Sequence, residues 1–75
     1  MAKYNVWFTV NGVPYFTTGT SSYPTIQELR DGTYSEKVAF DSAMMFVSGY
    51  MDVMRINGKV DVNSIRFTME QDNDE

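Results

Sequence analysis

The stretch VWFTVNGVPYFTT, residues 6–18, decides the fold. Asn11-Gly12 separates two runs of alternating, strand-prone residues, and a two-residue type I′ turn needs positive φ at both central positions. Asn and Gly accept that conformation at the least cost. The turn sets a register, with Val10 opposite Val13, Phe8 opposite Tyr15 and Val6 opposite Thr17 on one face. On the other face Thr9 meets Pro14 and Trp7 meets Phe16, at sites where the strands exchange no hydrogen bonds and side chains approach more closely. Pro14 then turns its missing N–H away from strand one. That is harmless at a free edge and costly beside a third strand, so strand two is expected at an edge and strand one in the centre.

Working outward, residues 19–34 (GTSSYPTIQELRDGTY) form a connector with some structure of its own. Thr25-x-x-Glu28 has the form of a capping box, and Gly32 is placed to end a short helix carrying Ile26 and Leu29. The competing pattern uses Asp31-Gly32 as a second hairpin turn between IQELR and TYSEK. Residues 35–57 read as the main helix, with Ser35 at the N-cap, Glu36 at the positive end of the dipole and Asn57-Gly58 as the stop. Its first apolar stripe, Phe40, Ala43, Met44, Val47, Tyr50, Met51 and Met54, has the spacing of a core-facing side. A second apolar stripe of Val38, Met45, Gly49, Val53 and Ile56, with Ser42 beside it, runs round the back. Charged and polar residues hold a narrow wedge between the two.

The segment SIRFTME, residues 64–70, alternates Ile65, Phe67 and Met69 with Arg66 and Thr68, the pattern of a strand with one buried face. Val60 and Val62 have the opposite parity, which predicts a turn or bulge near Asn63-Ser64. The expected fold is α+β: a three-stranded sheet in order 2-1-3 (ββαβ), strand three antiparallel to strand one, and one long helix across one face. Residues 1–69 are expected to form the domain and residues 70–75 a flexible acidic tail.

The 75 residues include no Cys and no His, so disulfides, thiolate zinc sites and the commonest general base are all missing. No Gly-rich phosphate loop occurs, and the acids are scattered over different elements. A non-enzymatic protein with no cofactor, metal or small-molecule substrate is therefore expected. Ten acids stand against six bases, and four of the acids, Glu70, Asp72, Asp74 and Glu75, fall in the last six residues. The body before them is formally neutral. It lacks the basic footprint of a nucleic-acid binder, although Trp7 and Phe16 could stack single-stranded bases. The tail has no Gly for a calcium loop; it is either a solvated end or an electrostatic contact for a basic partner. No run of about 18 apolar residues exists, and the first residues lack a signal-peptide core, which predicts a soluble, cytoplasmic protein without membrane contact.

Two apolar surfaces are left over. One is the outer hairpin face, Trp7, Thr9, Pro14, Phe16 and Thr18; the other is the helix back, Val38, Ser42, Met45, Gly49, Val53 and Ile56. The connector, with Tyr23, Ile26, Leu29 and Tyr34, can cover one of them. Large apolar patches mark interaction sites, so the expected function is a protein–protein interaction module, self-associating as a homodimer or acting on a larger partner. In size, acidity and α+β plan the chain resembles the small accessory proteins that bacteriophages encode to bind and inhibit host proteins. A structural subunit forming homo-oligomers is the alternative, and single-stranded nucleic-acid binding the third.

Overall fold

Asn11 and Gly12 both take positive φ, 53° and 79°, and join two antiparallel nine-residue strands, β1 (Ala2–Val10) and β2 (Val13–Ser21). The computed structural model describes residues 1–72. The register is the one the turn dictates, including Trp7↔Phe16 and Thr9↔Pro14. A third strand, β3 (Arg66–Gln71), lies antiparallel on the other side of β1, giving the sheet order β2-β1-β3. β1 is central and Pro14 lies on an edge. The fold is the expected small α+β plan.

Helix α1 (Ile26–Asp31) begins at Thr25, whose side chain and Glu28 form the reciprocal capping box, and ends at Gly32 in the left-handed region. The connector therefore holds a short helix and no second hairpin. β2 itself runs three residues further than the hairpin pattern implied, to Ser21. Helix α2 (Glu36–Met54) is capped by Ser35, whose hydroxyl accepts from the Val38 N–H. It stops earlier than Asn57-Gly58 suggests. Arg55 takes the left-handed conformation, and the Ile56 N–H reaches back 2.9 Å to the Met51 carbonyl. That ending swings the chain back so that Val60 bridges Val10 and a 3₁₀ turn at Val62–Ser64 leads into β3.

The inner face of β1 supplies most of the core. Ala2, Tyr4, Val6, Phe8 and Val10 are buried against Ala39, Ala43 and Val47 of α2, with Ile65 beside them. Small residues at positions 39 and 43 let the helix settle close to the sheet; Ala43 and Val47 belong to the expected stripe, and Ala39 joins them from outside it. Met54, counted in that stripe, is exposed, whereas Phe46 packs on the core. A Cβ at Gly19 would fall on the Phe46 ring, so the missing side chain on β2 is the space the ring occupies. Phe46 also lies 5.4 Å from the Tyr4 ring, between centroids.

Tyr4 is the largest fully buried side chain, and its hydroxyl donates to the Tyr23 carbonyl at 2.8 Å. Tyr23 in turn accepts from the Ser35 N–H at 2.6 Å. These two bonds tie β1, the connector and the start of α2 together. Burial pushes the Tyr4 phenol pKa up; a hydrogen bond with Ser42 pulls it down in part, and nearby Tyr23 and Tyr34 push it up further.

Two outcomes follow from this packing. Gly19→Ala is expected to destabilise the protein by about 1–3 kcal/mol through overpacking, with Phe46→Leu recovering part of the loss in a urea-denaturation double-mutant cycle. Tyr4→Phe is expected to cost about 1 kcal/mol near neutral pH through the lost bond to Tyr23. Because the folded pKa of Tyr4 lies above its unfolded value of about 10, its contribution is intact below that value and declines as pH rises through and above it. The stability gap between wild type and Tyr4→Phe should accordingly stay constant up to about pH 10 and narrow above it.

Candidate functional site

All the covering elements lie on one side of the sheet. α2 rests over β1 and β2, and α1 packs beside β3. The connector therefore shields neither leftover surface; Leu29 and Tyr34 instead line a groove of about 310 Å³ along β3, with Phe67 and Met69. The groove extends the core face and carries Glu36 and Arg66 at its margin. Among the described residues no group of three or more His, Cys, Asp or Glu could hold a metal ion, and no helix is long and apolar enough to cross a membrane.

The outer sheet face is built by the parity of the hairpin. Trp7 and Phe16 project from it as a cross-strand pair with ring centroids 5.2 Å apart, and they are 44% and 46% exposed. Pro14 and Thr18 flank Phe16 along β2, and Thr9 follows Trp7 along β1. β3 adds what the hairpin alone does not reveal. Arg66 pairs with Trp7, so Phe16, Trp7 and Arg66 form one row across all three strands. The Arg66 guanidinium curls onto the carbonyls of Asn63 and Ile65 at 3.1 and 2.9 Å. Thr9 is tied down by Ser64, whose hydroxyl accepts from the Thr9 N–H at 3.0 Å. The two neighbours of the aromatic pair, Arg66 and Thr9, are thus both hydrogen-bonded to the segment that leads into β3.

The helix back divides. Val38, Met45, Gly49 and Val53 are exposed, Met45 at 73% and Val53 at 79%, and nothing lies within 4 Å of a Cβ built on Gly49. Ser42 and Ile56 do not belong with them. Ser42 is half-buried and hydrogen-bonded to Tyr4, and Ile56 lies beyond the helix end and packs on the core. A 100° wheel continued past Met54 misplaced Ile56, because the left-handed Arg55 redirects the chain.

The acidic end also differs from the expected tail. Glu70 and Gln71 are part of β3 and pair with Lys3 and Ala2; the Asp72 N–H donates to the Met1 carbonyl at 3.0 Å. Glu70 accepts from the Asn5 amide at 3.0 Å on the outer face. Asp74 and Glu75 lie outside the described residues. The strand continues because Met69 still has core to cover and the first residues of β1 need a partner. Lone acidic residues at a strand end give no sequence signal for this.

No family model, curated protein or solved structure matches the chain.

Truncation after Met69 is expected to behave as a stability mutation, because it strips β3 of its last two paired residues. A loss of about 1 kcal/mol would lower the melting temperature by about 4–8 °C in a domain this size. An unchanged melting temperature in calorimetry would show that residues 70–72 contribute nothing to the sheet.

Proposed function

We propose that the chain is a non-enzymatic binding module that takes a protein partner on its open sheet face. The observation that carries this reading is the half-exposed Trp7–Phe16 pair, which no described element covers. A few residues dominate binding energy at protein interfaces, and aromatic residues and Arg are enriched among them. Arg66 at the end of the row is exposed, with only its Nη1 held by backbone carbonyls, and Thr9, Pro14 and Thr18 give a low-entropy rim of small side chains. A partner with an apolar ridge and an acceptor beside it fits that face. Stoichiometric inhibition of a host protein, the mode of small phage accessory proteins, is one form this binding would take in a cell.

Nucleic acid is favoured less. Among the described residues the outer face carries only two cations, Lys3 and Arg66, and Lys3 is paired in register with Glu70. Following a phosphate backbone needs several free cations. A second reading, assembly of the chain with itself, is favoured by a separate observation: the apolar flank of α2 at Val38, Met45, Gly49 and Val53 is open as well.

The test is affinity capture with the tagged chain, followed by titration of the recovered protein. Trp7→Ala is expected to weaken partner binding by roughly 30-fold or more, the loss typical of an interface hot spot. Lys37→Ala, on the exposed and opposite side of the molecule, is expected to leave it unchanged. Equal affinity of wild type, Trp7→Ala and Phe16→Ala for a captured protein would remove the sheet face from the function.

A further inference from the structure

The two flanks of α2 can be told apart. Phe40 meets Phe67 of β3, with ring centroids 6.3 Å apart, whereas Phe46 lies over Gly19 of β2. At about 100° per residue, Val53, Gly49, Val38 and Met45 all fall on the Phe46 side of the helix, within about 100° of it. The exposed apolar flank therefore faces the same way as the free edge of β2. These two features occupy one side of the molecule.

That edge is unusually open. β2, VPYFTTGTS, carries no charge along nine residues. Natural edge strands are commonly guarded by Lys, by a bulge or by covering structure; β2 has Pro14 near its start and no charged guard. In the hairpin register, Pro14, Phe16, Thr18 and Thr20 lie at the sites not hydrogen-bonded to β1, so their backbone groups point outward. The same parity is visible on β1, where the Thr9 carbonyl accepts from Asp61 and the Thr9 N–H donates to Ser64. Phe16, Thr18 and Thr20 thus offer three outward N–H groups, and Pro14 offers none.

We infer that two copies of the chain pair through this edge as a symmetric dimer, β2 against the partner's β2, centred on Thr18. The inference deepens the self-assembly reading above and rests on it. The register follows from Pro14. Placing Thr18 opposite the partner's Thr18 sets Phe16 opposite the partner's Thr20 and the reverse, so all three outward N–H groups on each chain are used. Shifting the centre towards Phe16 brings Pro14 into the ladder and forfeits donors; shifting it towards Ser21 runs off the strand.

The helices agree with this geometry. With strands about 4.8 Å apart, helices lying over the β1–β2 gap of each copy stand roughly 10 Å apart across the axis. That is the upper end of ordinary helix packing distances of about 8–10 Å. Val53 and Gly49 face the partner helix, with Val38 and Met45 above them, and Gly49 leaves room for close approach. Charge permits the pairing too. The strand edge carries no ionised side chain, and Val53, Gly49, Val38 and Met45 are uncharged, with Asp52 at the rim of their flank; Glu70 lies on β3, at the far edge of the sheet. The surfaces that meet are mostly uncharged, with Asp52 at their solvent-exposed rim, so the net charge of −4 offers little local repulsion.

The absence of Cys makes the register directly testable. Thr18→Cys is expected to form a disulfide-linked dimer rapidly under mild oxidation, because paired Cα atoms lie about 5.5 Å apart, within disulfide reach. Thr20→Cys is expected to stay unlinked, since two Thr20 positions are separated by about 13 Å along the strands. The wild type should sediment at twice the 8.6 kDa chain mass at micromolar concentration. Val53→Glu should weaken that dimer by tenfold or more while leaving the circular dichroism spectrum helical. A monomeric wild type overturns both the dimer and the self-assembly reading. A dimer in which the two cysteine variants cross-link equally, or which Val53→Glu leaves intact, overturns this interface and keeps self-assembly.

Discussion

Positive φ at Asn11 and Gly12 is the constraint on which the rest of the structure depends. A two-residue turn leaves no freedom in register, and in a strand a one-residue slip exchanges the two faces. The turn therefore decides that Tyr4, Val6 and Phe8 face the helix and that Trp7 and Phe16 face outward. It also decides which backbone groups of β2 point to the free edge. Core, open face and edge are three consequences of one local conformation. The end of α2 returns to the same place: a Cβ at Gly58 would lie 2.6 Å from the Asn11 amide nitrogen, so the loop after the helix lies directly against the turn.

The core that results is one-sided. A chain of this size hides only about 60–65% of its unfolded surface, and here one helix and one short connector must cover an inner face spanning three strands. They do so with economy of volume, small residues at Ala39, Ala43 and Gly19 letting rings from Tyr4 and Phe46 fill the layer. Among the described residues nothing remains to cover the second face. An exposed Trp–Phe pair contributes something to hairpin stability by itself, about 0.2–1 kcal/mol for such a cross-strand pair.

Local signals made most of this legible in the residues. The Asn-Gly turn, the Thr25–Glu28 capping box, the Ser35 cap and the alternation through Phe67 and Met69 each act within a few positions, and each appears in the fold. Local patterns fail where distant contacts decide. Ile56 left the helix wheel because the chain had to reach Val10. Ser42 turned inward because it meets the Tyr4 hydroxyl. Glu70 joined a strand because β1 starts early enough to pair with it. The alignment of Arg66 with Trp7, and the side of the molecule shared by β2 and the α2 flank, depend on how elements are placed in space, and no spacing along the chain encodes either one.

The open face and the open edge need not compete for the same partner. Side chains on the outer face stand perpendicular to the sheet, whereas pairing at the edge of β2 uses backbone groups in its plane. Joining two copies at that edge would leave Trp7 and Phe16 uncovered and set two aromatic pairs on one continuous six-stranded surface, related by the twofold axis. Such closure is isologous, so it stops at two copies and consumes the one uncharged edge that would otherwise invite indefinite pairing. A partner with two equivalent epitopes would then gain by avidity, provided their spacing matched the pairs. For a chain too small to bury both faces, edge pairing gives the exposed face a larger and stiffer platform.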